Sequence, residues 1–73
     1  MTFEEAAFKA RSFAVAQGFS DIFLELEDGD RDENGTWHLH FTQQLSPLSK
    51  PIYLDVAVDD ASKTIVSFKR RRE

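Results

Sequence analysis

Two histidines separated by one residue, His38 and His40, are the side chains in this sequence best suited to chemistry. If they belong to a β-strand, both imidazoles lie on one face, about 6–7 Å apart. Glu25 and Glu27 on one neighbouring strand, and Asp55 on another, are placed to face them. Two imidazoles and a carboxylate bind zinc or iron where they converge. The alternative is a solvated sheet face on which histidines pair with acids across the strands, where they could also sense pH.

An acidic segment over residues 30–35 matches the first half of an EF-hand calcium loop. Asp30, Asp32 and Asn34 supply the alternating oxygen ligands that calcium prefers. The second half does not match, because Phe41 stands where the loop needs a bidentate glutamate. A calcium site built on this half alone would be weak. The alternative is a hairpin loop rich in turn-forming residues.

A basic cluster lies close to the end of the sequence and consists of Lys69, Arg70, Arg71 and Arg72. Such a patch predicts an anion-binding site, and phosphate is the anion it suits. Domains that bind nucleic acid usually show a broad basic face, whereas this chain has a net charge of −4. Phe23 and Tyr53 are too few to form a base-stacking platform. The alternative is that the cluster protects an edge strand against aggregation.

Motifs typical of enzymes do not occur in the sequence. Its three glycines form no phosphate-binding pattern, and no nucleophile stands beside a base. We therefore expect neither catalytic residues nor a cofactor. The absence of cysteine excludes disulfides, the acidic first residues do not fit a signal peptide, and no apolar run approaches the roughly 18 residues of a membrane span. The expectation is one soluble, cytoplasmic domain over residues 1–73, without a membrane partner.

The elements that position these side chains begin with a helix predicted over residues 2–17. Thr2 and Glu5 fit a capping box at its start. At about 100° per residue, Phe8 and Val15 lie opposite the apolar face. They are either isolated exposed hydrophobes or a contact patch for a partner or a second copy. The apolar face itself consists of Phe3, Ala6, Ala7, Ala10, Phe13 and Ala14.

Alternation of apolar and polar residues predicts four strands, at about 21–27, 37–43, 52–59 and 63–70. The side chains expected to face the helix are Ile22, Leu24, Leu26, Trp37, Leu39, Phe41, Ile52, Leu54, Val56, Val58, Val66 and Phe68, with Ile65 left open. The other face would carry Phe23, His38, His40 and Tyr53 as a second candidate interface. The predicted fold is α+β, with one N-terminal helix packed on a four-stranded antiparallel meander sheet.

The first hairpin has two solutions. A tight Asn34-Gly35 turn would direct acidic side chains toward the core. Pairing Leu26 with Leu39 instead matches apolar residues and leaves residues 28–36 as a long acidic loop, and we favour it. The acidic loop and the basic cluster would then lie at opposite ends of the sheet and form an electric dipole.

The strand residues follow an order given by Gly18-Phe19, Leu24-x-Leu26, Gly35-x-Trp37-x-Leu39-x-Phe41, Tyr53-x-Asp55-x-Ala57-x-Asp59 and Ile65. Over roughly residues 15–69 this order resembles PepSY-like domains, which are small helix-plus-sheet modules, and it is similar to the related gas-vesicle accessory family. The chain departs from these domains at Ser62-Lys63, where they usually have glycine, and in lacking the signal of their often secreted or membrane-tethered members. The resemblance implies a regulatory or inhibitory binding module, and no site residue carries over from it.

The sequence thus predicts a small non-catalytic protein-binding or regulatory module, with self-association as one form of that role. Its candidate interface residues are Phe8, Val15, Phe23 and Tyr53. One alternative is a nucleic-acid-binding domain that uses the basic cluster. The other is a metal-binding domain that uses His38 and His40.

Overall fold

The computed structural model describes residues 1–71. It confirms the predicted architecture, since one helix is followed by four antiparallel strands in a single sheet of order β1-β2-β3-β4. The elements are α1 (Phe3–Ala16), β1 (Leu24–Arg31), β2 (Thr36–Gln43), β3 (Ile52–Asp59) and β4 (Ile65–Arg71). The helix packs on one face of the sheet and leaves the opposite face open.

The helix begins at the predicted capping box. The Thr2 hydroxyl accepts a hydrogen bond from the Glu5 backbone N–H at 3.2 Å, and the Glu5 carboxylate accepts one from the Thr2 N–H at 3.1 Å. This second bond lowers the pKa of Glu5. After the helix, Gly18 takes a left-handed conformation with φ of 105°. The chain therefore reverses and enters the sheet.

Small residues on the helix bring its axis close to the sheet. Ala6, Ala10 and Ala14 are fully buried, so the large buried side chains of the sheet pack directly against the helix backbone and its methyl groups. Aromatic rings close the two ends of this contact, where Phe3 meets Trp37 edge-on at 6.1 Å between centroids, and Phe13 and Phe19 meet the ring of Phe68. The buried sheet residues are Leu24, Leu39, Phe41, Leu54, Val56 and Val58.

The predictions of a long acidic loop at residues 28–36 and of a pairing between Leu26 and Leu39 are wrong, since Leu26 pairs with Phe41. Strand β1 continues to Arg31, and its register shifts at a bulge between Leu26 and Asp28. The bulge reverses the alternation, so that Gly29 and no acidic side chain faces the helix. A four-residue turn over 32–35 then closes the hairpin, with Gly35 at a φ of 81°. This matches a type I turn followed by a left-handed residue, which is a common hairpin connection.

Two side chains expected in the core are exposed. Ile22 lies in a turn before β1 and is 85% exposed. Val66 is 57% exposed, because a second bulge makes it the extra residue between Ile65 and Ser67. As a result Ile65, which the alternation left open, packs against the core. Phe68 returns to the inner face as expected.

Candidate functional site

The face of the sheet opposite the helix carries most of the side chains that the sequence singled out. We call it the open face. It consists of Glu25, Asp28 and Asp30 from β1, His38, His40 and Thr42 from β2, Tyr53, Asp55 and Ala57 from β3, and Ser67, Lys69 and Arg71 from β4.

The strand register arranges the open face in three cross-strand rows. The upper row is Asp30, His38, Ala57 and Ser67; the middle row is Asp28, His40, Asp55 and Lys69; the lower row is Glu25, Thr42, Tyr53 and Arg71. Every row begins with an acid on β1, and the middle and lower rows end with a cation on β4. In these two rows the charge therefore changes from negative on β1 to positive on β4.

His38 is tied to the hairpin turn. Its Nε2 lies 2.8 Å from Oδ2 of Asp32. The other oxygen of Asp32 accepts hydrogen bonds from the backbone N–H groups of Asn34 and Thr36, at 2.9 and 3.0 Å. The bond from His38, followed by that from Thr36, lowers the pKa of Asp32. His38 thus connects the centre of the open face to the end of the sheet.

His40 lies between two carboxylates. Its Nδ1 is 2.7 Å from Oδ1 of Asp55 on β3, and its Nε2 is 3.9 Å from Oδ1 of Asp28 on β1. The Arg71 guanidinium lies 3.9 Å from the same Asp55 oxygen and 5.2 Å from the centroid of the Tyr53 ring. The centre of the face is therefore a chain in which acidic and basic side chains alternate, and each imidazole contacts a carboxylate.

The predicted metal ligands do not form a coordination set. Within residues 1–71, no three histidine or acidic side chains are grouped so as to hold a metal ion. His38 and His40 are each engaged by a separate carboxylate. Asp30 lies in strand β1, whereas Asp32 and Asn34 lie in the turn, where Asp32 is used to close the hairpin.

A shallow depression of about 260 Å³ lies on the open face between β2, β3 and β4. It exists because Ala57 and Ser67 are small, while His38, His40 and Lys69 rise around them. Sites for drug-sized ligands usually enclose about 300–1,000 Å³ and are concave. This depression fits a single side chain better than a cofactor.

The four predicted interface residues lie on two different surfaces. Tyr53 is part of the open face, and Phe23, 46% exposed, borders it beside Glu25 and Thr42. Phe8 and Val15 lie on the helix, and both are exposed. A groove beside Phe8 runs toward β4 and is lined by Phe8, Lys9, Ser12, Phe13, Lys63 and Ile65.

The basic cluster does not form one patch. Lys69 and Arg71 project from the open face, whereas Arg70 alternates to the other side of β4. Arg72 lies outside the described residues.

Sequence reasoning missed Asp28 and Asp30, the β1 acids of the middle and upper rows, because it placed residues 28–36 in a loop. Gly29 was the available signal, since a glycine within a strand pattern indicates a bulge or a close approach. It also missed the role of Ala57, whose small size creates the depression.

In residues 1–71 the single helix, 14 residues long, falls short of what a membrane crossing needs. The resemblance to PepSY-like domains stays a prediction. Comparisons with family models, with curated proteins and with solved structures found no match for this chain.

Proposed function

We propose that this chain is a non-catalytic protein-binding module and that the open face is its binding surface. The observation that carries the proposal is the one-sided packing of the sheet. The helix covers one face, while the other presents ordered rows of charge around a shallow depression. A sheet face left uncovered in this way is available to a second protein surface.

The composition of the open face favours a protein over a metabolite. Tyr53 and Arg71 stack on one another at its lower edge, and tyrosine and arginine are enriched in protein interfaces. The histidines already have carboxylate partners, so they act as positioned polar contacts. The depression accepts one inserted side chain, which is how interface anchors are seated.

The nucleic-acid alternative receives less support from the same geometry. A phosphate held by Lys69 or Arg71 would approach Asp55, whose carboxylate lies 3.9 Å from the guanidinium of Arg71. Acids also line the β1 side of the face. A phosphate backbone laid across the strands would therefore meet repulsion after its first contact.

The proposal is tested with a photo-crosslinking amino acid placed at one position at a time, in intact cells that express the full chain. Ser67 in the depression is the test position, and Ser12 on the helix is the matched control. We expect saturable crosslinks from Ser67 and none from Ser12. Ala57→Arg, which fills the depression from an outward-facing position, should abolish them while leaving the circular dichroism spectrum unchanged.

Crosslinks from Ser12 alone, or none from Ser67, would contradict the proposal. The mass of each product shows whether the bound protein is another chain or a second copy. The proposal includes the cytoplasmic location expected from the sequence, and fractionation of the crosslinked cells checks it directly.

A further inference from the structure

The open face is complementary to itself, and we infer that the partner it takes is a second copy of this chain, bound face to face about a two-fold axis parallel to the strands. This inference rests on the proposed function and adds the identity of the partner. It follows from the order of charges in the three rows, from the row-end charges that form no salt bridge within residues 1–71, and from the position of the depression.

The choice of axis follows from the distribution of charge between the outer strands. A two-fold axis parallel to the strands, placed midway between the two facing sheets, puts β1 over β4 and β2 over β3 and keeps each row over itself. Acids on β1 then meet cations on β4. An axis across the strands would instead set β1 over β1, with acid against acid. Electrostatics therefore select the first arrangement.

The middle row shows the match residue by residue. Read from β1 to β4 it is Asp28, His40, Asp55 and Lys69. Reversed over itself, it places Asp28 over Lys69 of the second copy, and His40 over Asp55. Because the interface is isologous, each of these pairs occurs twice.

The lower and upper rows extend the match. In the lower row Glu25 faces Arg71 of the second copy. In the upper row His38, which rises above the sheet, faces Ala57 of the second copy. The depression at Ala57 and Ser67 can receive that imidazole. The inserted side chain that the depression suits is thus supplied by the face itself.

Apart from Arg71, which contacts Asp55, the charges at the ends of the middle and lower rows are available for such contacts. Within residues 1–71, Lys69 and Glu25 are in none of the salt bridges, and Asp28 has only its 3.9 Å contact with His40. The Asp28 side chain is 76% exposed. These groups therefore reach a second sheet without first breaking an internal ion pair.

Sheet twist does not remove the match. Facing sheets cross at about 30°, and the outer strands lie about 7 Å from the axis, so the row ends shift by about 4 Å along the strand direction. A lysine or arginine side chain spans that distance. The four strands offer a flat area of about 500 Å² on each copy, at the low end of specific interfaces. We therefore expect a weak and reversible dimer.

The test is sedimentation of the full chain from micromolar to millimolar concentration, with charge reversals in the middle row. Asp28→Lys gives a copy with cations at both row ends, and Lys69→Glu gives a copy with acids at both. For each variant alone the dimer dissociation constant should rise by up to about tenfold, because two like-charge contacts replace two attractive ones. Mixed together, the two variants should form a heterodimer, since every row end is then opposed by the opposite charge.

The matched controls carry the same charge changes at other exposed positions. Glu4→Lys on the helix and Lys50→Glu in the loop between β2 and β3 should dimerise as wild type does. Glu25→Lys and Arg71→Glu repeat the test in the lower row and replace any middle-row variant that does not fold, as judged by circular dichroism. Association in the mixture cannot arise from a contact within one copy, because residues 28 and 69 lie on opposite edges of the sheet.

Three outcomes overturn the inference. Wild type that stays monomeric at every concentration removes the second copy as partner, while the Ser67 crosslink to another protein would leave the proposed function standing. A dimer that the reversals weaken no more than the controls do is not built on the open face. If each variant dimerises more weakly alone and the two do not associate when mixed, the two-fold axis parallel to the strands is excluded.

Discussion

The two faces of the sheet are held in different ways. The inner face is dry, with Leu39, Leu54 and Val58 fully buried beneath the alanines of the helix. The open face is polar and pairs its groups across strands, as His40 does with Asp55. Burial of apolar area stabilises a fold far more than partly exposed ion pairs do. The inner face therefore determines whether the chain folds, and the open face is free to serve recognition.

The largest difference is expected between truncations of two neighbouring residues that point to opposite faces. Leu39→Ala removes a fully buried side chain and should cost about 2–5 kcal/mol. His40→Ala, one residue along the strand, should cost about 1 kcal/mol or less, because its pair with Asp55 is partly exposed. Urea unfolding of both variants measures the two values. Equal losses would mean that the open face also carries the fold.

A smaller loss of stability is expected from a substitution at Gly29, which faces the helix. A Cβ added at Gly29 would lie 2.6 Å from Cδ1 of Leu39 and 2.9 Å from a ring carbon of Phe3. Gly29→Ala should therefore destabilise the fold by about 1–3 kcal/mol through overpacking. Asp30→Ala, next in the strand and exposed, is the control and should change stability little. Thermal unfolding distinguishes the two, and a neutral Gly29→Ala would show that the inner face can yield.

Acid should weaken the polar contacts that two carboxylates, Asp32 and Asp60, make at the turns. The pKa of Asp32 is lowered by His38, and that of Asp60 by the Trp37 indole N–H, which donates to it at 3.1 Å. Below their ordinary value of 3.8 the unfolded chain binds more protons than the folded chain. Stability should therefore fall as pH decreases from about 4 through the lowered pKa values.

Measuring stability against pH in variants shows which carboxylate causes the loss of stability in acid. Asp60→Asn removes one of these carboxylates, so its stability should depend less steeply on pH over that window. Glu4→Gln, whose carboxylate is exposed on the helix, serves as the control and should keep the wild-type slope. An unchanged slope in Asp60→Asn would exclude Asp60 as a source of acid sensitivity.

The smallest effect is expected at the turn between β3 and β4, outside both faces. Lys63 has a φ of 59°, a left-handed conformation that costs an L-residue about 1–2 kcal/mol. Lys63→Gly should relieve that strain. The gain in stability should not exceed about 1 kcal/mol, because glycine loses more chain entropy on folding and this offsets part of the relief. Lys63→Ala retains the strain and should not stabilise. Denaturant midpoints measure both, and a gain in Lys63→Ala would point to charge as the cause.

Local patterns were sufficient for most of the fold. The capping box at Thr2 and Glu5, the small face of the helix and the period of two in β2 and β3 each predicted what the structure shows. These signals are local, since each depends on neighbours in sequence and on one buried face. The open face followed from the same alternation, which placed His38, His40 and Tyr53 together.

Two of the failures share one physical cause, whereas Ile22 is exposed because β1 begins only at Leu24. A bulge adds one residue to a strand and reverses the alternation beyond it. One bulge moved the acids of β1 from a supposed loop to the open face, and the other exchanged Val66 for Ile65 in the core. The sequence marks the first only by Gly29 and the second not at all, because both patterns look regular without the partner strand.

Those same bulges interrupt both outermost strands of the sheet, one near Glu27 and one at Val66. An unbroken border strand offers a template on which further strands from other molecules can be added without limit. In this sheet a bulge in each edge strand, β1 and β4, interrupts the hydrogen-bonding pattern that an added strand would need. The bulges thereby protect folded copies against edge-to-edge association at high concentration.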